Sequence, residues 1–105
     1  MSECLFCRIA AGEIPSRNVY EDNEILAFHD IHPVAPVHLL IVPKTHVESL
    51  AHCEAAQAEL LGRMLLLAPK LAKEHGLNDG FRTQIHTGRA GGQVIFHLHM
   101  HVIGG

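Results

Sequence analysis

Val94-Ile95-Phe96-His97-Leu98-His99-Met100-His101-Val102-Ile103-Gly104-Gly105 is the stretch from which the fold is read. Three histidines alternate in it with large apolar residues, which is the period of a β-strand and not of a helix. Successive side chains on a strand point to opposite faces, so His97, His99 and His101 are expected on one face, about 6.6 Å apart from one to the next. Leu98, Met100 and Val102 then turn into a core. A single histidine in a strand reads as an ordinary core or surface residue. Three on one face, backed by an apolar face, read as a metal site or a catalytic row. Imidazole titrates near pH 6.5, which suits proton transfer and nucleophilic attack around neutrality.

Outward from that strand, Phe81-Arg82-Thr83-Gln84-Ile85-His86 also alternates and reads as a strand, joined to the first by a Gly88 to Gly92 loop. Glu54 to His75 reads as the one long helix, with Leu60, Leu61, Met64, Leu65, Leu67, Ala68, Leu71 and Ala72 on a broad apolar face and Gly76 as its C-terminal cap. No side chain stands out as its N-cap, and Pro69 is expected to kink it near Leu65 to Ala68. Val37 to Val42 is apolar on both faces apart from His38, which suits a central strand ended by Pro43. On its own residues, His38 reads as a hydrogen-bonded core histidine.

Asp30 to Pro36 holds two prolines and is expected to be a loop, while Asn18 to Glu21 and Glu24 to His29 form a hairpin about an Asp22-Asn23 turn. Cys4 to Ala11 makes a short amphipathic helix that Gly12 stops. Strands and helices are segregated along the chain. The expectation is an α+β fold: one domain over residues 1–105, about five mostly antiparallel strands, one long helix and one or two short ones.

The 105 residues are too few to build a second core. A net charge of −3, with eight scattered Lys and Arg, offers no footprint for a nucleic-acid backbone. No segment is long enough to span a bilayer, and Met1-Ser2-Glu3-Cys4 lacks the basic start and apolar run of a signal peptide, so a cytoplasmic protein with no membrane partner is expected. In that compartment three cysteines indicate metal binding or burial in place of a disulfide framework. Cys4-Leu5-Phe6-Cys7 alone reads equally as two buried thiols or as half of a zinc site. Gly88-Arg89-Ala90-Gly91-Gly92 is neither a P-loop nor a dinucleotide fingerprint. It reads first as a connecting loop, and its glycines would also let backbone N–H groups approach an anion.

His-Leu-His-Met-His-Val-Ile, preceded by Gly91-Gly92-Gln93 and followed by Gly104-Gly105, resembles the signature of the histidine-triad (HIT) family, in particular its Hint branch. The resemblance runs almost end to end, through Cys4-Leu5-Phe6-Cys7-Arg8-Ile9, Phe28-His29-Asp30-Ile31 and Pro36-Val37-His38. It implies a nucleotide hydrolase or transferase in which the middle histidine, here His99, attacks the α-phosphorus and holds it covalently. His101 would contact the phosphate, with His97 and His38 completing the histidine cluster. Gln93 matches a residue whose amide contacts substrate near the scissile bond.

The resemblance places the nucleoside base among Leu5, Phe6, Ile9, Phe28 and Ile31, with its ribose on Asp30. His86 stands where family members commonly carry an asparagine that meets the phosphate end. A branch of the family pairs the dicysteine with two histidines on a structural zinc, here Cys4, Cys7, His46 and His97, one ion per subunit and no catalytic metal. The implied partners are a purine nucleotide substrate and a second copy in a homodimer. Hydrolysis of purine nucleoside phosphoramidates is the leading reading. Dinucleoside polyphosphate hydrolysis and a non-enzymatic nucleotide- or zinc-binding regulatory module are the alternatives.

Overall fold

The Asp22 carboxylate shapes the first turn of the sheet, in a computed structural model that describes residues 3–105; Met1 and Ser2, read above as lacking a signal-peptide start, lie outside them. Its Oδ1 accepts the N–H groups of Glu24 at 2.7 Å and Ile25 at 2.8 Å, so the hairpin joins β1 (Asn18–Glu21) to β2 (Ile25–His29) through three residues where two were expected. Oδ2 accepts the Tyr20 hydroxyl at 2.7 Å and Arg63 at 2.9 Å. Burial alone would raise this carboxyl. The Tyr20 hydrogen bond, the two backbone donors and the Arg63 charge outweigh it and bring the pKa down to about 2.

β3 (Val37–Pro43) pairs with β2 on one side and β5 (Met100–Gly104) on the other, and β4 (Arg82–Gln84) closes the far edge. The order is β1-β2-β3-β5-β4 and every pairing is antiparallel. This is the expected α+β architecture with five strands. One face carries Ile25, Ala27, Leu39, Ile41, Met100 and Val102, covered by Met64, Leu67, Ala68, Leu71 and Ala72 of α2 (Ala58–Glu74). The other carries Leu26, Phe28, Leu40 and Val42, and the cover there is Phe6 of α1 (Leu5–Ala10). A fully buried Leu or Phe stabilises by about 1.5 to 3 kcal/mol relative to an exposed one, so the two helices are held chiefly by these faces.

Two strands are shorter than their sequence period suggests. The triad stretch pairs only from Met100 onward, because its next partners would be Val42 and Pro43. Pro43 has no N–H to give, its carbonyl accepts a side chain instead, and the Leu98 N–H turns away to the Val47 carbonyl at 2.7 Å. β4 stops at Gln84 opposite His101, which leaves His86 beyond the sheet. Leu98, Met100 and Val102 are buried as expected, but so are His97 and His99, and of the three histidines only His101 is half-buried.

The long helix starts at Ala58, four residues later than expected, after two 3₁₀ turns, Leu50–His52 and Ala55–Gln57. Their caps are the signals missed in the sequence. Ser49 Oγ accepts the Ala51 N–H at 3.2 Å, and Gln57 Oε1 accepts the Glu54 N–H at 2.6 Å. α2 continues through Pro69 to Glu74. The ring of Pro69 leaves the Leu65 carbonyl without its helical donor, and Leu65 lies on the half-exposed side and not in the apolar face where it was expected. Cys53 is half-buried, and its thiol donates to the Ser49 carbonyl at 3.7 Å.

Candidate functional site

Where the triad stretch leaves the sheet, its first histidine turns into a corner with α1. His97 is fully buried, and its Nε2–H donates to the Pro43 carbonyl at 2.7 Å. A carbonyl only accepts, so this bond fixes the proton on Nε2 and leaves Nδ1 with a lone pair. That Nδ1 lies 3.3 Å from Cys4 Sγ, 3.5 Å from Cys7 Sγ and 3.2 Å from His46 Nδ1, and Cys7 Sγ lies 3.3 Å from His46 Nδ1. A tetrahedral ion with zinc–sulfur bonds of about 2.3 Å and zinc–nitrogen bonds of about 2.0 Å separates its ligand atoms by about 3.3 to 3.8 Å, with nitrogen–nitrogen and nitrogen–sulfur pairs at about 3.3 to 3.5 Å. Two thiols and two imidazole nitrogens at these separations fit a closed, soft-ligand metal site. α1 delivers the cysteines, with Cys4 at its N-cap accepting the Cys7 N–H at 3.4 Å.

His99, two residues on, reverses the pattern. Its Nδ1–H donates to the His97 carbonyl at 2.7 Å, so here Nε2 is the unprotonated nitrogen. Burial lowers the pKa of His99, which keeps that lone pair available, although the His97 carbonyl bond opposes the shift. The ring packs edge-on against Phe6, 5.0 Å between centroids.

A relay stands beside it. The Val34 N–H donates to His38 Nδ1 at 3.2 Å, so His38 carries its proton on Nε2. From there it donates to His101 Nδ1 at 2.9 Å, with Asp30 Oδ2 also 3.3 Å away. His101 is left with its N–H at Nε2. Burial, then the neighbouring His99, His38 and His86, push the pKa of His101 down to about 4. Asp30, His38 and His101 are also close enough to hold a metal ion. The Val34 donor argues against it, because His38 presents a proton and not a lone pair toward the other two.

A cleft of about 550 Å³ opens over His99 and His101. Phe6, Phe28 and Ile9 line it, as do Leu5 and Ile31 at its exposed rim. Asp30 and His86 line it as well. Asp30 Oδ1 accepts the His32 N–H at 2.8 Å, which leaves a partly exposed carboxylate with further acceptor sites. His38 stands behind His101, buried, and the His97 ring is outside the lining.

Gln93 is placed differently from its expected contact with substrate. It is buried outside the cleft, with Oε1 accepting the Gly88 N–H at 2.9 Å and Nε2 donating to the carbonyls of Glu48 at 2.8 Å and Ile95 at 3.0 Å. Its amide therefore clamps the glycine loop. Gly91, Gly92 and Gln93 likewise give their N–H groups to carbonyls within that loop. Those bonds and that of Gly88 occupy the N–H groups of all three glycines of the loop.

Val94 and Ile95, read from the sequence only as strand, line the cleft, and Val94 is 85% exposed at its mouth. Their signal was adjacency to Gln93. The backbone partners that set the tautomers, Pro43, His97 and Val34, carry no signal in residue type.

The HIT domain family model matches residues 11–105. Protein HitA of Neisseria gonorrhoeae is 55% identical over 104 residues, covering 99% of this chain and 97% of that protein. A 14 kDa zinc-binding protein of Zea mays is 45% identical over 106 residues, covering 99% of this chain and 83% of that protein. The crystal structure of a HIT family hydrolase from Legionella pneumophila Philadelphia 1 superposes with a TM-score of 0.95 at 47% identity, covering 98% of this chain and 93% of that one.

Proposed function

This chain belongs to the HIT family, and from that premise we propose that it is a nucleotide hydrolase or transferase that captures the α-phosphorus of a purine nucleoside phosphoramidate on His99. The observation that carries the reading is the tautomer of His99: with Nδ1–H anchored to a carbonyl at 2.7 Å, the lone pair on Nε2 belongs to a ring that lines the cleft. A neutral imidazole so held attacks phosphorus without first losing a proton. The apolar wall of Phe6, Phe28 and Ile31 suits a purine, and the Asp30 carboxylate suits the ribose hydroxyls. His101, with Nε2–H as donor, suits the phosphate oxygens.

Attack by Nε2 forms a phosphorus–nitrogen bond as the bond to the leaving amine breaks. Water then displaces His99, giving the nucleoside monophosphate and the free imidazole. The Cys4, Cys7, His46 and His97 corner would hold one structural zinc, which supplies a fixed charge and a four-way tie between α1 and the loops. The ion is kept out of the reaction, since the corner has all four ligands and the cleft is lined elsewhere. We place the protein in the cytoplasm as a homodimer, with the exposed Leu65 and Leu66 of α2 compatible with such an interface.

The test is His99→Ala, assayed against adenosine phosphoramidate and diadenosine polyphosphates. Nucleotide affinity should persist while turnover falls by about four to six orders of magnitude, the scale of losing a covalent nucleophile. Intact-mass analysis of the quenched parent should detect a nucleotidyl adduct that the variant lacks. Near-normal turnover in the variant would exclude the covalent route and favour the regulatory-module alternative. Parent activity confined to the dinucleotides would transfer the site to that substrate class.

A further inference from the structure

The hydrogen bonding of the three triad imidazoles and of His38 is fixed. His97 is turned into the metal corner, His99 is tied to the His97 carbonyl, and His38 and His101 hold one another. His86 is unlike them. Its ring lines the cleft with its centroid 5.1 Å from that of His101 and the planes inclined by 33°. Among the described residues no hydrogen bond engages either of its ring nitrogens, and neither is a buried orphan. His101 in turn lies 5.1 Å from His99, so its ring neighbours both His99 and His86.

The chain also fixes where His86 sits. It follows the last paired residue of β4 and enters the loop that Gln93 clamps. A Cβ at Gly91 would fall 2.2 Å from the Thr87 carbonyl oxygen, so the loop folds back on the residue next to His86 only because that position is glycine.

We propose that His86 is the general acid that protonates the leaving amine, an inference that rests on the phosphoramidate reading above. An alkylamine leaves phosphorus only with a proton, because the amide anion is far too basic to depart alone. His99 cannot supply it, since its Nδ1–H is held by a carbonyl and its Nε2 is the attacking atom. His101 is a poor source, being held neutral down to about pH 4. In-line displacement sends the leaving group to the side of phosphorus opposite the entering nitrogen, and His86, in the cleft lining beside His101 and with no hydrogen bond on its ring among the described residues, is free to meet it.

The steps balance as follows. His99 Nε2 bonds to phosphorus, the phosphorus–amine bond breaks, and its electron pair stays on the amine nitrogen. That nitrogen takes the proton of the His86 imidazolium, leaving His86 neutral. Water then attacks phosphorus, its proton returns to His86, and the His99–phosphorus bond opens.

Two substrates with the same adenylate and different leaving groups test this. One is an alkylamine phosphoramidate of AMP. The other is the p-nitrophenyl ester of AMP, whose aryloxide departs without a proton. His86→Asn keeps a hydrogen-bond donor and cannot act as an acid. It should lower kcat/KM on the alkylamine by about 10²- to 10³-fold, at least about thirty times more than on the aryl ester. His86→Gln should repeat the contrast, so a folding defect in one variant does not decide the matter.

Equal losses on both substrates would mean that His86 only binds the anion, and no loss on either would mean that it does nothing; both overturn the proposal. If the parent turns over neither substrate and forms no adduct, the phosphoramidate reading falls and takes this inference with it. A parent active on both substrates with proportionate losses removes the acid role alone.

Discussion

The metal corner and the imidazole row begin from the same kind of residue, two positions apart, and diverge through a single backbone choice. His97 gives its Nε2–H to the Pro43 carbonyl and leaves Nδ1 facing the two thiols and His46, whereas His99 gives its Nδ1–H to the His97 carbonyl and leaves Nε2 unprotonated on a ring that lines the cleft. Both rings are buried, and burial lowers the pKa of both. The surroundings differ: two thiols and a second imidazole at one, an open cleft at the other. Under the proposed function, the same side chain serves as ligand or as nucleophile according to which nitrogen a carbonyl occupies.

That contrast makes the two centres separable. His99→Ala should remove turnover, as given above, and leave metal content and thermal midpoint close to those of the parent. Cys4→Ser combined with Cys7→Ser should do the reverse in order of cause. Metal is lost, and stability falls by about 3 to 4 kcal/mol, the linkage expected for an ion present at several hundred times its dissociation constant. A strong chelator should bring the parent to the same midpoint and leave the double variant unmoved. Insensitivity of the parent to chelator, with no metal by elemental analysis, would reduce the corner to packed thiols.

Acid should discriminate further. His101 has its pKa lowered from 6.5 to about 4, mostly by burial, so between those values the unfolded chain binds a proton that the fold does not. Its contribution to stability is complete above about pH 6.5 and declines as pH falls toward 4, because stability rises with pH wherever the unfolded state is the more protonated. Denaturant titrations from pH 7 to 4.5 should show a shallower decline for His101→Asn than for the parent. Parallel declines would mean that the ring already protonates inside the fold.

The smallest effect is expected far from both centres. Asp22→Asn should cost about 1 to 2 kcal/mol, the worth of charge-assisted bonds to Arg63 and the turn, with metal content and turnover retained. The Asp22 carboxylate, held at about 2 against 3.8, should contribute in full above about pH 3.8 and lose that contribution as pH falls toward 2.

Much of this division was legible in the sequence. The alternation of His97, His99 and His101 located the site, and the family resemblance, not the spacing alone, named Cys4, Cys7, His46 and His97 as the side chains that converge in the corner. The period overstated the strand, because pairing ends where Pro43 can no longer donate. Gln93, given a substrate contact by resemblance, has its amide on three backbone groups, and one of them, the Glu48 carbonyl, arrives from a distant loop that the sequence does not signal. The start of α2 was missed because Ser49 and Gln57 cap separate short turns ahead of it. The tautomers were invisible, since they depend on carbonyls that every residue possesses.

The link between the two centres runs through the main-chain oxygen of residue 97, not through its ring. Any amino acid at that position brings the same oxygen. If the proposed roles hold, the four-residue corner could be replaced by ordinary packing without altering the tautomer of His99, provided something else keeps that peptide in place.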